Sequence, residues 1–219
     1  MEIKHTLYIN LLHRPDRKSH VEQQLASIGI DCPIRFNAIK IKDGRIGCSM
    51  SHLKCIQLAK LNNWEHVLIV EDDITFLDPV LFSKQLTGFF QDDISYNVLL
   101  LGGNVVPPYK QINSHCVQVF SCQTTTGYIV QQHYYDTLIE NIHQGISQLI
   151  KEPTNHLLYA IDKYWFSLQR RDLWFIIVPL TVIQKENYSD IEERETNYSK
   201  LMLDLNKTYL KNTRFIKPF

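Results

Sequence analysis

Four apolar residues, Val67-Leu68-Ile69-Val70, run directly into three carboxylates, Glu71-Asp72-Asp73. A short buried strand that ends abruptly in acid has an electrostatic problem. Adjacent anions repel one another and lose solvation unless a cation or strong hydrogen-bond donors meet them. Hard divalent ions such as Mg²⁺ and Mn²⁺ choose carboxylate oxygen. In open α/β sheets, ligands bind just beyond the carboxyl ends of strands. The run therefore reads as a metal site at the mouth of a sheet. The plainer alternative is a strand that ends in a solvated acidic turn.

The flanking sequence supplies such a sheet. Residues 6–9 form a short apolar run, followed by a polar loop with Arg14-Pro15-Asp16-Arg17. Val21, Leu25 and Ile28 then share one face of a helix expected over 18–27, with Gly29 placed to stop it. A second strand is expected within 34–39, a turn at Asp43-Gly44, and a helix over 49–61. Helices alternating with strands imply parallel pairing with crossovers. The rhythm then changes. A helix opens at Asp78-Pro79 and runs through Phe90, and a strand over 97–101 ends at Gly102-Gly103. Strands are expected at 117–120, 127–130 and 174–178, with helices at 134–142 and 162–168. Beyond Glu186 the chain is polar and weakly patterned. There is no internal repeat and no low-complexity segment.

Composition narrows the function classes. With 219 residues, 44% hydrophobic and 21% charged, the chain can form one large α/β core with a smaller C-terminal appendage. Basic and acidic residues balance at 23 each, so nothing global points to nucleic acid. The five cysteines match no zinc or redox spacing, which suggests buried thiols in a reducing compartment. The chain enters a strand-like run without a signal-peptide core, and no apolar run reaches membrane-spanning length. These features predict a cytoplasmic protein, and they make the sequons at Asn187, Asn197 and Asn206 chance matches. The basic and aromatic end, from Lys207 to Phe219, offers weak contact with a membrane surface or an anionic partner. A packed or frayed terminus explains it equally simply.

Other motifs have two readings each. Arg14 and Arg17 suit phosphate recognition, or they are solvated surface charges. Gly47-Cys48-Ser49-Met50-Ser51-His52 reads as a helix start capped by Ser49, able to hold an anion or simply to cap. Cys48 has no base placed beside it by a local pattern and is not expected to be a nucleophile. Gly102-Gly103-Asn104 allows close backbone approach or an ordinary turn. Thr124-Thr125-Thr126-Gly127-Tyr128 suits a sugar-hydroxyl site or a bend. Asp162, near a helix start, is either a dipole-stabilised acid or a general base.

Together, Tyr8-Ile9-Asn10-Leu11 with Arg14 and Asp16-Arg17, Ala38-Ile39, Gly47-Cys48, Ser51-His52 and Val70-Glu71-Asp72-Asp73 resemble glycosyltransferase family 25. That family includes lipooligosaccharide and collagen galactosyltransferases. Weaker likeness continues at Thr126-Gly127-Tyr128-Ile129, Ile161-Asp162, Gln184 and Ser189-Asp190. The resemblance implies a GT-A fold, an α/β mixed sheet flanked by helices, as one domain over 1–219. Its nucleotide-sugar half would reach about residue 105, with an acceptor half and tail from about 106. It implies a UDP-sugar donor with Mn²⁺ or Mg²⁺, and a glycan, lipid-linked saccharide or protein hydroxyl as acceptor. Glu71 and Asp73 occupy the outer positions of the DxD-type signature and would serve the metal, with Asp73 as the direct ligand and Asp72 behind it. Ile9, Asn10, Leu11, Arg14 and Arg17 would hold the nucleotide, and Ala38 and Ile39 would line the base pocket. Ser51, His52 and Gln184 would lie nearby.

The family is similar to inverting enzymes, so one carboxylate should deprotonate the acceptor. Asp162 is the first choice and Asp190 the second. The chain is shorter than many members where acceptors are recognised. Two other classes stand beside this reading. One is a catalytically silent relative that binds a glycan, a nucleotide sugar or a protein. The other is a metal-dependent nucleotide hydrolase or nucleotidyltransferase, although no Walker loop and no Gly-x-Gly-x-x-Gly fingerprint is present.

Overall fold

The computed structural model describes residues 3–189 and 194–207. Asp190 and the tail beyond Lys207 lie outside the described residues.

The first strand, β1 (Thr6–Asn10), is buried along its whole length. α1 (Pro15–Ala26) begins three residues before the sequence-based start at 18. Pro15 takes the first helical position, where its missing N–H is not needed, and Asp16 sits in the positive first turn. Gly29 adopts φ 82° and ends the segment as expected. β2 (Ile34–Asn37) pairs in parallel with β1.

The next helix corrects the sequence reading. α2 (Gly44–Leu61) starts five residues before Ser49. The Asp43 carboxylate accepts the Arg45 N–H at 3.0 Å and caps it, so the Asp-Gly pair marks a helix start rather than a free turn. Ser49 is interior, and its hydroxyl donates to the Arg45 carbonyl at 2.9 Å. The anion-holding helix start expected at Ser49 is therefore absent.

β3 (His66–Glu71) carries the acids, and β4 (Ile74–Phe76) follows at once. α3 (Pro79–Gln91) is capped by Asp78, which accepts the Leu81 N–H at 2.9 Å. β5 (Val98–Val105) runs through Gly102-Gly103 instead of ending there, with irregular register on both sides of Gly102. A β-carbon on Gly102 would stand 2.8 Å from Val182, so close approach is the reading that holds. β6 (Tyr109–Gln111), β7 (Cys116–Val119) and β8 (Cys122–Gln131) follow. α4 (Tyr135–Lys151) leads to the short α5 (His156–Tyr159). The helix expected over 162–168 is two, α6 (Ile161–Tyr164) and α7 (Phe166–Arg171), with Trp165 between them. β9 (Trp174–Ile177), β10 (Val182–Gln184), the hairpin of β11 (Asn187–Ser189) and β12 (Arg194–Thr196), and α8 (Ser199–Met202) complete the described chain.

Eight strands form one mixed sheet in the order β2-β1-β3-β8-β5-β9-β7-β6. The alternation at the start of the chain produces the parallel trio β2-β1-β3. β8 then enters antiparallel between β3 and β5. β3 is buried on both faces, which is why its sequence from Val67 to Val70 is continuously apolar. Leu7, Val67, Ile69, Val98 and Leu100 pack on one side with α2, α4 and the Trp165–Trp174 pair. Tyr8, Leu68, Val70, Leu99 and Leu101 pack on the other with Val21 and Leu25 of α1 and Phe82 and Phe89 of α3. Each fully buried aliphatic side chain contributes about 1.5–3 kcal/mol of transfer free energy, so the central strands fix the register.

One clamp ties the end of the sheet to the helices beyond it. The Gln169 side chain accepts the Cys122 N–H at 2.6 Å and donates to the Cys122 carbonyl at 3.0 Å. The Trp165 indole donates to the same carbonyl at 3.0 Å. This holds α6 and α7 against the first residues of β8.

Candidate active site

Glu71 ends β3, and Asp72 and Asp73 form the turn into β4, which separates the three carboxylates. Glu71 falls on the side of α2, and Asp72 on the side of α1. Glu71 meets donors from three elements. Its Oε1 accepts the Thr125 hydroxyl of β8 at 2.6 Å and lies 3.3 Å from His52 Nε2 of α2. Its Oε2 accepts the Gln184 amide of β10 at 2.9 Å. The Cys48 sulfur stands 3.6 Å from Oε1. Burial works against the Glu71 charge, but the donors led by His52 outweigh it and hold the carboxyl below its ordinary range.

Asp72 is an anchor. Its Oδ2 accepts the Asn10 amide at 2.7 Å and its Oδ1 accepts Arg17 Nη1 at 2.8 Å. Asn10 is in turn gripped by Arg35, whose Nε and Nη2 donate to Asn10 Oδ1 at 3.0 and 2.7 Å. Burial still pushes the Asp72 carboxyl up, against the pull of Arg17.

Asp73 is served differently. Its Oδ1 is buried with no hydrogen-bond partner among the described residues, and Arg17 Nη1 stands 3.7 Å from Oδ2. Burial first, and the Glu71 charge second, push its carboxyl up to about 8. A buried carboxylate oxygen without a donor, next to an ionised glutamate, is what a hard cation would complete. The residues present therefore fit a divalent metal held by Asp73, with Glu71 beside it.

These acids line a cavity of about 490 Å³, within the range of small-molecule sites. The cavity brings together most of the residues singled out in the sequence: Ile9, Leu11, Arg17, Ala38, Ile39, Ser51, His52, all three acids and Gln184. Asn10 lies behind its wall and acts through Asp72. Arg14 is not in the lining, and its guanidinium forks onto Asp16 at 3.1 and 2.9 Å. Ser51 shapes the cavity rather than pointing freely into it. Its hydroxyl accepts the Ile39 N–H at 2.9 Å and donates to the Gly47 carbonyl at 2.8 Å. A β-carbon on Gly47 would stand 2.5 Å from the Ile39 carbonyl oxygen, so glycine lets the Ile39 loop lie on α2.

Asp162 lies outside the lining, at the start of α6. Its Oδ2 accepts the N–H of Thr124, which adopts φ 72°, at 3.1 Å. Burial pushes the Asp162 carboxyl up, and the Glu71 charge adds to the rise, while Lys163 opposes it. The dipole-stabilised reading of Asp162 is thereby corrected, since a four-residue helix contributes little against burial.

Sequence reasoning missed several lining residues. Lys40, Ile41, Lys42, Lys185, Thr196 and Tyr198 complete the wall. The alternation Ala38-Ile39-Lys40-Ile41-Lys42 was the available signal for the first three. Thr125, which makes the shortest of the Glu71 contacts, carried no signal beyond its hydroxyl.

The model of a known family, Glycosyltransferase family 25 (LPS biosynthesis protein), matches residues 37–165, more than half of the chain. A curated relative, the procollagen lysyl hydroxylase and glycosyltransferase of Acanthamoeba polyphaga mimivirus, is 21% identical over an aligned length of 239. That match covers 87% of this chain and 26% of the relative, so the chain spans about a quarter of the protein it matches. Among solved structures, A197 from STIV has a TM-score of 0.48 at 10% identity, covering 87% of this chain and 92% of that one. A glycosyltransferase involved in glycosylation of the major capsid of PBCV-1 has a TM-score of 0.42 at 13% identity, covering 79% and 91%. No helix among the described residues is long and apolar enough to cross a membrane.

Proposed function

This chain belongs to glycosyltransferase family 25, and we propose that it moves a hexose, galactose or glucose, from a UDP-sugar to an acceptor hydroxyl with inversion. The acceptor would be a glycan, a lipid-linked saccharide or a protein. The observation that carries this reading is the cavity itself. One wall is apolar (Ile9, Leu11, Ala38, Ile39, Ile41), as a nucleobase needs, and another is acidic (Glu71, Asp72, Asp73). Arg17, Lys40, Lys42 and Lys185 also line it, and cations of this kind suit a diphosphate.

Asp73 and Glu71 would hold Mn²⁺ or Mg²⁺. When bound, such an ion neutralises charge gathering on the departing diphosphate oxygen. The chain's own residues do the rest. Arg17, fixed by Asp72, presents positive charge to the cavity. Thr125, His52 and Gln184 keep Glu71 ionised and oriented. Asp162 takes the proton from the acceptor hydroxyl. As it does so, the acceptor oxygen bonds to the anomeric carbon, and the bond from that carbon to the diphosphate breaks. A carboxyl raised by burial is a stronger base than a solvated one, which suits Asp162 to this step.

The test is release of nucleoside diphosphate from a panel of nucleotide sugars with Mn²⁺, Mg²⁺ or EDTA. Asp73→Ala serves as the control. Metal-dependent release from one donor, lost in the variant, is the expected result. No release from any donor, together with no donor binding by calorimetry, would overturn the reading.

A further inference from the structure

We propose that Cys48, His52 and Glu71 form a second cation site, selective for a softer ion such as Zn²⁺, on the floor of the same cavity. Cys48 and His52 are four residues apart on α2, so both face the tip of β3. One ligand atom from each of the three residues lies within 4.8 Å of the other two. His52 Nε2 is 3.3 Å from Glu71 Oε1, and Cys48 Sγ is 3.6 Å from the same oxygen.

Those separations are what a tetrahedral ion asks for. Zinc bond lengths of about 2.0–2.2 Å to nitrogen and oxygen and about 2.3 Å to sulfur place N and O about 3.3 Å apart, and S and O about 3.6 Å apart. The set also matches zinc by chemistry, because a thiolate and an imidazole draw Zn²⁺ or Co²⁺ away from the harder Mg²⁺ and Mn²⁺. The far side of the imidazole is already held. His52 Nδ1 lies 3.0 Å from the Tyr128 hydroxyl, which can give or accept and so serves either tautomer. All three ligands line the cavity, leaving the fourth position to water or to an incoming ligand. As the metal–sulfur bond forms, the Cys48 thiol releases its proton to solvent.

This site is chemically separate from the one at Asp73, yet it draws on the same Glu71 carboxylate. The two ions are therefore not independent. Zinc at the floor would compete for the cavity without touching Asp73.

Co²⁺ is the probe, added to the whole chain under reducing conditions. The expected result is a sulfur-to-cobalt charge-transfer band in the near ultraviolet, saturating at one equivalent and displaced by Zn²⁺. Cys48→Ser should abolish the band and Glu71→Gln should weaken binding at least ~100-fold. Cys32→Ser, which removes an exposed thiol, should leave the band unchanged. Absence of the band in the unmodified chain overturns the proposal, as does its survival in Cys48→Ser. A second measurement needs no variant. Zn²⁺ should slow alkylation of Cys48, mapped by peptide mass, and leave Cys32 unaffected; equal rates with and without zinc would sink the site.

Discussion

The two walls around the Glu71 carboxylate were assembled in opposite ways. The wall from β1, the loop after β2 and α2 comes from nearly consecutive stretches of chain, and parallel strands deliver their ends to one edge. On the other side, β8, β10 and α6 contribute single side chains from far apart, and of Thr125, Gln184 and Asp162 only Gln184 lines the cavity. Thr125 reaches Glu71 across 54 positions, and Gln184 across 113. Asp162 is held by the backbone N–H of Thr124, with Lys163 Nζ 4.0 Å away. The first wall shapes a pocket. The second sets the charge state and direction of individual carboxylates.

If that division is right, the walls should fail differently. The largest effect is expected for Asp162→Asn, with turnover falling by roughly 10³-fold, within the span of lost general-base catalysis. Donor affinity should hold within about twofold, since Asp162 does not line the cavity. Steady-state kinetics paired with donor calorimetry reads both, and unchanged turnover would remove Asp162 from the mechanism.

Thr125→Val should act through Glu71, lowering apparent metal affinity by about 10–100-fold with a smaller change in the rate at saturating metal. Thr125→Ser should restore it, because the hydroxyl and not the methyl makes the 2.6 Å contact. Equal loss in both variants would mean that Thr125 only packs.

The third effect is one of stability. Asp73 is held up at about 8, against an ordinary 3.8. Between those values the folded metal-free chain keeps a proton that the unfolded chain has released. The contribution of this group to stability is therefore fully present below its unfolded value and is lost as pH rises through about 8. Tm measured in EDTA should decline over that window, and less so in Asp73→Asn. A wild-type profile no steeper than the variant's would show that Asp73 does not hold the proton.

Legibility followed the same division. The acids, the loop at Arg17 and the Ala38-Ile39 stretch could be read in the chain because their neighbours in sequence are their neighbours in space. Local chemistry also decided where that reading slipped. Asp43 captured the helix start from Ser49, and Asp16 captured the Arg14 fork. Thr125 belongs to another category. A hydroxyl in a threonine run has no address until β8 settles antiparallel to β3, with Gly127 opposite Val70. The mixed order of the sheet was hidden for the same reason, because β8 enters between two strands that precede it in the chain.

The clamp on residue 122 bears on how this protein can vary. Gln169 and Trp165 grip a peptide group, not a side chain, and so are blind to what residue 122 is. Drift at that position is limited by the buried space it fills and by the need for a backbone N–H, which excludes proline. At 169 the demand is for one amide of one length, offering a donor and an acceptor together. A saturation map along this edge would therefore be lopsided, permissive at 122 and closed at 169, with the placement of Asp162 inherited through the closed position.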